Sequence, residues 1–412
     1  MNAGDITFVL ICSALVLLMT PGLSLFYGGL VRRKNVANTM LASVFTIGLG
    51  VVMWMLFGFS LSFGKDHAGI IGSFEWLGLN NVSLTEPYTE GGKIPNMAFC
   101  IFQMMFAVIT PALITGSVAG RMKFKSLFIF TALWSLIVYY PITHMVWADG
   151  GFLGKIGALD FAGLGLHVAS GVSALVLCIL LGKRKDYKTG NYRIHNIPMV
   201  ALGAFLLLFG WFGFNAGSAL EANGIAIHAF ITTGVSAAAA MLSWMLCDVI
   251  FIKKTTLIGA STGIVAGLIG ITPGAGFVPV WAALIIGLTT SPICYFMVSK
   301  IKQKFGYDDA LDAFGCHGVG GIWGGICTGL FAQQSINDSA RWNGLVFGDV
   351  KLFGIQLAAI GIMIAVAIVG TFICFGITKL FGSVRVSERE ERIGLDKSEH
   401  GESAYPSFNG FD

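Results

Sequence analysis

Residues 255–299 read TTLIGASTGIVAGLIGITPGAGFVPVWAALIIGLTTSPICYFMVS, and no side chain in this stretch is charged at neutral pH. A membrane-spanning helix needs about 20 mostly apolar residues to cross a hydrocarbon core of about 30 Å. The stretch is long enough for two such helices. It therefore predicts two membrane spans, over 257–272 and 278–299.

The composition of the whole chain agrees with this local pattern. Of 412 residues, 55% are hydrophobic and 12% are charged, and the mean hydropathy is +0.78. Soluble domains carry about 25% charged residues, so the composition excludes an ordinary soluble protein, a disordered chain and a coiled coil. The net charge is only +4, and the basic residues lie in short clusters, which argues against a nucleic-acid-binding protein. The 55 glycines favour closely packed membrane helices.

The charged clusters divide the chain into eleven apolar segments, which predict an all-α polytopic membrane protein with eleven transmembrane helices. The segments are apolar throughout and do not alternate apolar with polar residues, as the strands of a β-barrel would. The expected spans are 6–30, 36–62, 97–120, 126–147, 160–182, 197–218, 226–250, 257–272, 278–299, 309–331 and 352–380.

The basic residues orient these spans, because Lys and Arg are more frequent in cytoplasmic loops. One side of the membrane would hold 21 of the 26 basic residues. Their clusters lie at 32–34, 121–125, 183–193, 253–254, 300–304 and 379–397. We therefore expect a multi-pass protein of the cell (inner) membrane with its N-terminus outside and its C-terminus in the cytoplasm. The first apolar segment lacks a basic leader, so we interpret it as a retained span.

The odd number of spans predicts an internal repeat. Spans 1–5 and 6–10 would have opposite orientations, which is typical of an inverted repeat with an additional eleventh span. Ala158-Leu159-Asp160 before His167 resembles Ala310-Leu311-Asp312 before His317 at matching positions of the two halves. We expect residues 1–382 to form the transmembrane domain and 383–412 to form a cytoplasmic tail.

Two histidines lie deep inside predicted spans, where an ionisable side chain indicates function, whereas His144 and His228 fall near the outer ends of their spans. His167 is seven residues into the fifth span and His317 is eight residues into the tenth. A rise of 1.5 Å per residue places both near mid-depth, from opposite sides. They are either two separate buried side chains or a pair in which one imidazole donates a hydrogen bond to the other.

No further ligands accompany these histidines. No Cys or His cluster completes a metal site around them, and none of the eight Cys belongs to a C-x-x-C pair. The sequence therefore predicts no metal and no cofactor. The cysteines are expected to be packing residues.

A second group of residues lies near the outer ends of the spans. Two pairs with i, i+4 spacing each share a helix face, and a Trp and an Asp are expected at the same depth. The residues are Phe102, Phe106, Trp147, Asp160, Phe214 and Ser218. Aromatic side chains at this depth commonly form an interfacial belt. Together with a hydroxyl group they also favour a small cation, because aromatic faces attract positive charge.

The predicted path has no carboxylate at mid-depth. A bare charge at the bilayer centre costs from about 2.5 to more than 10 kcal/mol, which two imidazoles and a few rings would not offset. The sequence therefore favours passage of a neutral amine-like molecule with separate handling of the proton.

Several segments identify a family that the chain resembles: the ammonium transporters of the Amt/Mep/Rh family, within the Amt branch. The resemblance runs from about Leu23 to the tail. The segments are LFYGGLVRRKN at 25–35, FAVITPALI at 106–114, ALDFAG at 158–163, WFGFNAGS at 211–218, ITPGAG at 271–276 and DAFGCHGVGG at 312–321.

The resemblance implies a homotrimer with one pore per subunit, transporting ammonium as ammonia with separate proton movement. It implies an outer recruitment site, stacked rings that close the pore, twin histidines along the path and a carboxylate that orders the outer site. The matching residues are, in that order, Trp147, Phe102, Phe106 and Ser218; Phe106 and Phe214; His167 and His317; and Asp160.

The chain departs from the usual family pattern at two places. Residues 147–151 read WADGG, so Asp149 adds a carboxylate near the outer site. Residues 162–167 read AGLGLH, one residue shorter than usual, which would turn a helical residue by about 100°. We expect the irregular start of the span, with Gly163 and Gly165, to absorb the change.

The resemblance also implies a partner. The tail segment SEREER at 387–392 is densely charged, and such segments are commonly solvated. In the family, a similar tail packs under the trimer and cooperates with a PII-type signalling protein at the cytoplasmic face. Lipid is the other expected partner, and nucleic acid is not expected.

Two alternatives to transport remain at this point. An ammonium sensor would signal through a separate partner and transport little. A membrane enzyme or redox protein would use the histidines as ligands, but the chain lacks clustered ligands and phosphate-binding glycine motifs. The sequence therefore predicts a transporter and no enzyme.

Overall fold

The computed structural model describes residues 1–188 and 193–405. Ten helices in this part of the chain are long and apolar enough to cross a membrane. They confirm a helical, multi-pass membrane fold. The β structure among the described residues is one short hairpin, Asp66–His67 with Ile71–Gly72, and one isolated bridge between Met122 and Arg385. The two faces are called outer and inner below, after the orientation that the basic residues predict.

The apolar helices follow the charged clusters of the sequence. In the first half they are α1 (Ala3–Leu30), α2 (Val36–Met53, Trp54–Gly58 and Phe59–Phe63), α3 (Asn96–Val118), α4 (Phe124–Trp134, Ser135–Tyr139 and Tyr140–Trp147) and α5 (Leu164–Leu181). In the second half they are α6 (Ile197–Gly217), α7 (Gly224–Ile252), α8 (Leu257–Ile271), α9 (Val280–Phe296, Met297–Ile301 and Lys302–Phe305), α10 (Phe314–Gly318 and Val319–Phe331) and α11 (Val350–Leu380).

The helix α10 is not one of the ten candidate spans. It is rich in glycine, it contains His317, and its first turn, Phe314–Gly318, is π-helical. The polar ring and the glycines lower the hydrophobicity of this segment. The count of eleven spans therefore stays a prediction.

The starts of α5 and α10 differ from the expected spans. The fifth span was expected from residue 160 and the tenth from 309, but the helices begin at Leu164 and Phe314. A carboxylate precedes each helix and accepts backbone N–H groups of its first turn, as an N-terminal cap does. His167 and His317 therefore lie three residues after the first helical residue, instead of seven and eight residues into a span.

Glycines permit α5 and α10 to cross closely beside the two histidines. A Cβ atom on Gly171 would lie 2.1 Å from the backbone nitrogen of Gly318. A Cβ atom on Gly321 would lie 2.6 Å from Cβ of His167. Such distances are too short for real side chains, so only glycine allows this approach.

The tail packs against the inner loops up to residue 405. It forms two short helices, α12 (Glu388–Ile393) and α13 (Leu395–His400). Lys34 Nζ donates to the Glu391 carbonyl oxygen at 2.9 Å, and the backbone N–H of Asn38 donates to Asp396 Oδ1 at 2.8 Å. The charged tail is thus docked over its described part, and residues 406–412 of the expected tail lie outside the described residues.

Candidate functional site

The structure brings together His167 and His317, the two histidines that were predicted near mid-depth of the membrane. The ring centroids of His167 and His317 are 5.4 Å apart and their planes differ by 25°. The two Nδ1 atoms are 3.4 Å apart, so one nitrogen donates and the other accepts. The residues are 2% and 3% exposed. The shortened segment before His167 does not turn its ring away from the partner.

The carboxylates before the two helices position these rings. Asp160 accepts hydrogen bonds from the backbone N–H groups of Gly163 and Leu164, both at 2.6 Å, and of Gly165 at 2.9 Å. Asp309 accepts from Ala313 at 3.1 Å and from Phe314 at 2.8 Å. Each carboxylate fixes the first turn of the helix that carries a histidine.

The Ala-Leu-Asp repeat of the sequence does not coincide with this pair of capping carboxylates. Asp312 was matched to Asp160, but Asp312 accepts Lys302 Nζ at 2.6 Å and caps no helix. The residue that corresponds to Asp160 is Asp309. The match was wrong because Ala-Leu-Asp recurs in sequence while the cap position depends on where each helix begins.

Aromatic rings continue the path outward from the histidines. Trp211 stacks on His167 at 5.6 Å and 23°, and its Nε1 donates to Thr272 Oγ1 at 2.7 Å. The ring of Phe214 lies 4.3 Å from that of Phe106. These two phenylalanines are therefore in contact, with the histidines on one side of them.

Two cavities meet at this ring contact. The inner cavity, of about 260 Å³, is lined by Phe214, Trp211, His167 and His317 and extends to Asp312. The outer cavity, of about 420 Å³, is lined by Phe106 and by residues near the outer helix ends. The rings of Phe106 and Phe214, in contact and tilted by 34°, separate the two spaces.

Trp147, Ser218 and Asp160 line the outer cavity. Trp147 meets Phe106 edge to face at 5.9 Å and 86°, and its Nε1 donates to the Asp160 carbonyl oxygen at 3.0 Å. Ser218 Oγ donates to the Phe214 carbonyl oxygen at 2.9 Å, so its lone pairs remain free to accept an N–H group. Asp160 therefore orders both the start of α5 and the indole ring.

The charge of the outer cavity suits a cation. Its lining includes the carboxylates of Asp160, Glu221 and Asp338. Among the described residues that line it, none is Lys, Arg or His. Negative charge in a recessed cleft raises the local concentration of cations.

Two predicted residues lie elsewhere than the sequence suggested. Phe102 is fully buried and packs against Phe106 at 4.9 Å, but it does not line the outer cavity. Asp149 does not line the outer cavity either. Its backbone N–H donates a hydrogen bond to Tyr88 Oη at 3.2 Å. Phe102 thus packs against the Phe106 ring and supports it from behind.

One lining residue was missed by the sequence reasoning. Gln103 is 8% exposed, lines the outer cavity, and its Oε1 atom is buried without a hydrogen-bond partner. The available signal was an amide side chain inside an apolar span, between Phe102 and Phe106. A buried amide is costly unless it is paired.

Metal-binding geometry is absent from the part of the chain that the structure describes. Within residues 1–188 and 193–405, no group of three His, Cys, Asp or Glu side chains could hold a metal ion. The eight cysteines are free and buried.

Comparison with known proteins agrees with the family resemblance. The Ammonium Transporter Family profile matches residues 7–405. An ammonium transporter of Bacillus subtilis is 48% identical over 98% of this chain and 99% of its own length. The crystal structure of Saccharomyces cerevisiae Mep2 matches with a TM-score of 0.89 and 34% identity, covering 100% of this chain and 93% of that one.

A structure described as a sensor Amt protein is also similar. It matches with a TM-score of 0.87 and 28% identity, covering 96% of this chain and 98% of that one. The family match over nearly the whole chain and the named transporters confirm the resemblance to ammonium transporters. The chain therefore belongs to the ammonium transporter family, and it is a membrane transporter and not an enzyme.

Proposed function

We propose that this ammonium transporter binds the ammonium cation in the outer cavity, removes a proton near the contact between the Phe106 and Phe214 rings and passes neutral ammonia beside the two histidines. The observation that carries the proposal is His167 Nε2, which is fully buried and has no hydrogen-bond partner. Leaving such an atom unpaired costs about 1–3 kcal/mol. Ammonia in the inner cavity would supply the missing partner.

The outer cavity supports recruitment of the charged form. The faces of Trp147 and Phe106 attract a cation by about 0.5–2 kcal/mol each. Ser218 Oγ can accept one N–H group of ammonium. Phe102 contributes by packing behind Phe106.

The ring contact supports loss of the proton before passage. Phe106 and Phe214 touch, so at least one of the two rings must move to admit a solute. The space beyond them is lined mainly by apolar side chains and two histidines. A small neutral molecule avoids the cost of a bare charge in such surroundings. Ammonium therefore gives its proton to a base on the outer side of the rings, either water or a carboxylate that lines the outer cavity, and the proton then moves by a route separate from that of ammonia.

The assembly and setting are part of the same proposal. We infer a homotrimer in the cell membrane, with the N-terminus outside and the tail of residues 383–412 in the cytoplasm. The docked tail, held by Lys34 and Asn38, supports a role for the inner face in binding a PII-type signalling protein.

Transport is tested by ammonium-evoked current in proteoliposomes containing the purified protein. We expect a current that saturates with ammonium concentration and is absent from protein-free liposomes. Saturable ammonium binding without any flux would contradict transport and favour the alternative, an ammonium sensor. The observation that favours this alternative is the similarity of the chain to a structure described as a sensor Amt protein.

A further inference from the structure

The inner cavity contains a carboxylate that the proposed passage of ammonia does not use. Asp248 lies near the inner end of α7, which stops at Ile252, and it lines the same cavity as His167 and His317. The residue is only 3% exposed. An ionised group is costly to remove from water, so buried carboxylates are normally paired with a cation or hydrogen-bonded at both oxygens.

The two oxygens of this carboxylate have different surroundings. Oδ2 accepts hydrogen bonds from Oγ1 of Thr256 at 2.7 Å and from the backbone N–H of Thr256 at 3.2 Å, and Thr256 is the N-terminal cap of α8. Oδ1 accepts no hydrogen bond from the described part of the chain, yet it is not sealed inside the protein. Because Asp248 lines the inner cavity, this accessible oxygen faces that space.

Support of the α8 cap explains Oδ2 but not the negative charge. An asparagine could accept the same two hydrogen bonds, since Asn and Asp are about equally good capping residues. Among residues 1–188 and 193–405, no Lys, Arg or His forms an ion pair with Asp248. The other carboxylate of this cavity, Asp312, is paired with Lys302 at 2.6 Å. Asp248 is therefore a buried negative charge that no described side chain balances.

We propose that Asp248 Oδ1 binds the ammonium cation at the inner end of the path. This inference rests on the proposed passage of ammonia and adds the site at which the cation forms again. Ammonia that has passed His167 and His317 gains an N–H bond by taking a proton from a hydronium ion of the inner solution, which becomes water. The carboxylate then stabilises the new cation by its charge and by accepting one of its N–H groups.

The same site acts in the opposite direction, because the path can be entered from either face. Ammonium from the inner solution meets Asp248 before the histidines, as ammonium from the outer solution first meets Trp147 and Ser218. Asp248 should therefore set the KM for ammonium applied to the inner face and have no effect on the KM for the outer face. A purely structural role in holding α7 against α8 would disturb both.

The test measures ammonium-evoked current in right-side-out and inside-out vesicles that contain the protein, as a function of ammonium concentration. In Asp248→Asn, which keeps an oxygen acceptor and removes the charge, we expect the inner-face KM to rise roughly tenfold, as for loss of one charge-assisted hydrogen bond. The outer-face KM should stay at the wild-type value. The matched control is Asp349→Asn, the same change at the cap of α11. Asp349 lines neither cavity, so this variant should match the wild type on both faces.

The other outcomes separate this inference from the proposed function. Wild-type vesicles without current on either face would contradict the proposed function itself. A wild-type current with an unchanged inner-face KM in Asp248→Asn, or with an equal rise on both faces, overturns the inference alone. If Asp248→Asn does not fold, wild-type crystals soaked in thallium(I), an anomalous scatterer close in size to ammonium, decide the matter. An anomalous peak in contact with Asp248 Oδ1 supports the site, and the lack of a peak there overturns it.

Discussion

The side chain with the clearest unused bonding capacity on the inner path is His167. Its Nδ1 faces that of His317, which leaves Nε2 for the solute. The sequence predicted the pairing, because two histidines at matching depth in opposite halves indicate a shared site. It did not predict the unpaired nitrogen, which depends on how Trp211 and Phe214 pack around the ring.

At this scale we predict that His167→Leu lowers the maximal ammonium-evoked current roughly tenfold. The substitution leaves the ammonia without its buried partner, and each 1.36 kcal/mol of lost stabilisation is about tenfold in rate. The KM for ammonium should change little, since the outer cavity remains intact. A raised KM with a normal maximal current would contradict a role for His167 in passage.

Gln103 and Phe102 illustrate what a sequence pattern leaves undetermined at the residue scale. Their neighbour Phe106 was placed correctly on the cavity, and i, i+4 spacing put Phe102 on the same face. The residues of α3 that line the cavity are Phe99, Gln103 and Phe106, at i, i+4 and i+7, and Phe102 lies beside this face. Only the packing of α3 against its neighbours decides this.

Among the elements, the first turn of α5 contributes most to the outer site. Asp160 accepts three backbone N–H groups there and its carbonyl holds the Trp147 indole. Sequence patterns predicted the end of this span, at residue 182 against Leu181 in the structure, but not its start, because the cap forms outside the apolar run. The π-helical first turn of α10 was missed for the same reason.

We predict that Asp160→Ala destabilises the protein by about 1–2 kcal/mol through loss of the helix cap, measured as a lower melting temperature in detergent. Transport should fall as well, because Trp147 loses its ordered neighbour. The matched control is Asp338→Asn, which removes a carboxylate from the same cavity without removing a cap. Equal loss of stability in both variants would show that charge, and not capping, matters at residue 160.

The tail helix α13 offers a second test among the elements. Asp396 caps the start of α2 by accepting the Asn38 N–H. Asp396→Ala should weaken docking by about 1 kcal/mol and increase hydrogen exchange in residues 388–400, while Asp396→Asn keeps an acceptor and should change little. Unchanged exchange in Asp396→Ala would mean that Lys34 and the other contacts hold the tail without this cap.

For the molecule as a whole, the physics of the bilayer made the fold class predictable. Long uncharged runs admit only helices across the membrane, and large side chains such as Leu242 and Phe251 remain exposed on the outside of the bundle. Ten spans are apolar enough to be counted, and α10 is not among them because its glycines and His317 lower its mean hydropathy. Assembly and orientation depend on partners and on the membrane, which a single chain does not contain.

Recruitment of the cation followed by passage of ammonia is tested most directly by the pH dependence of ammonium-evoked current on a solid-supported membrane. The ammonium concentration is held constant in an acidic and an alkaline buffer, so that free ammonia rises with pH while the concentration of the cation does not change. We expect nearly the same saturable initial current in both buffers, because the outer cavity binds the cation. A current or uptake that rises in proportion to free ammonia would contradict recruitment of ammonium at Trp147 and Phe106.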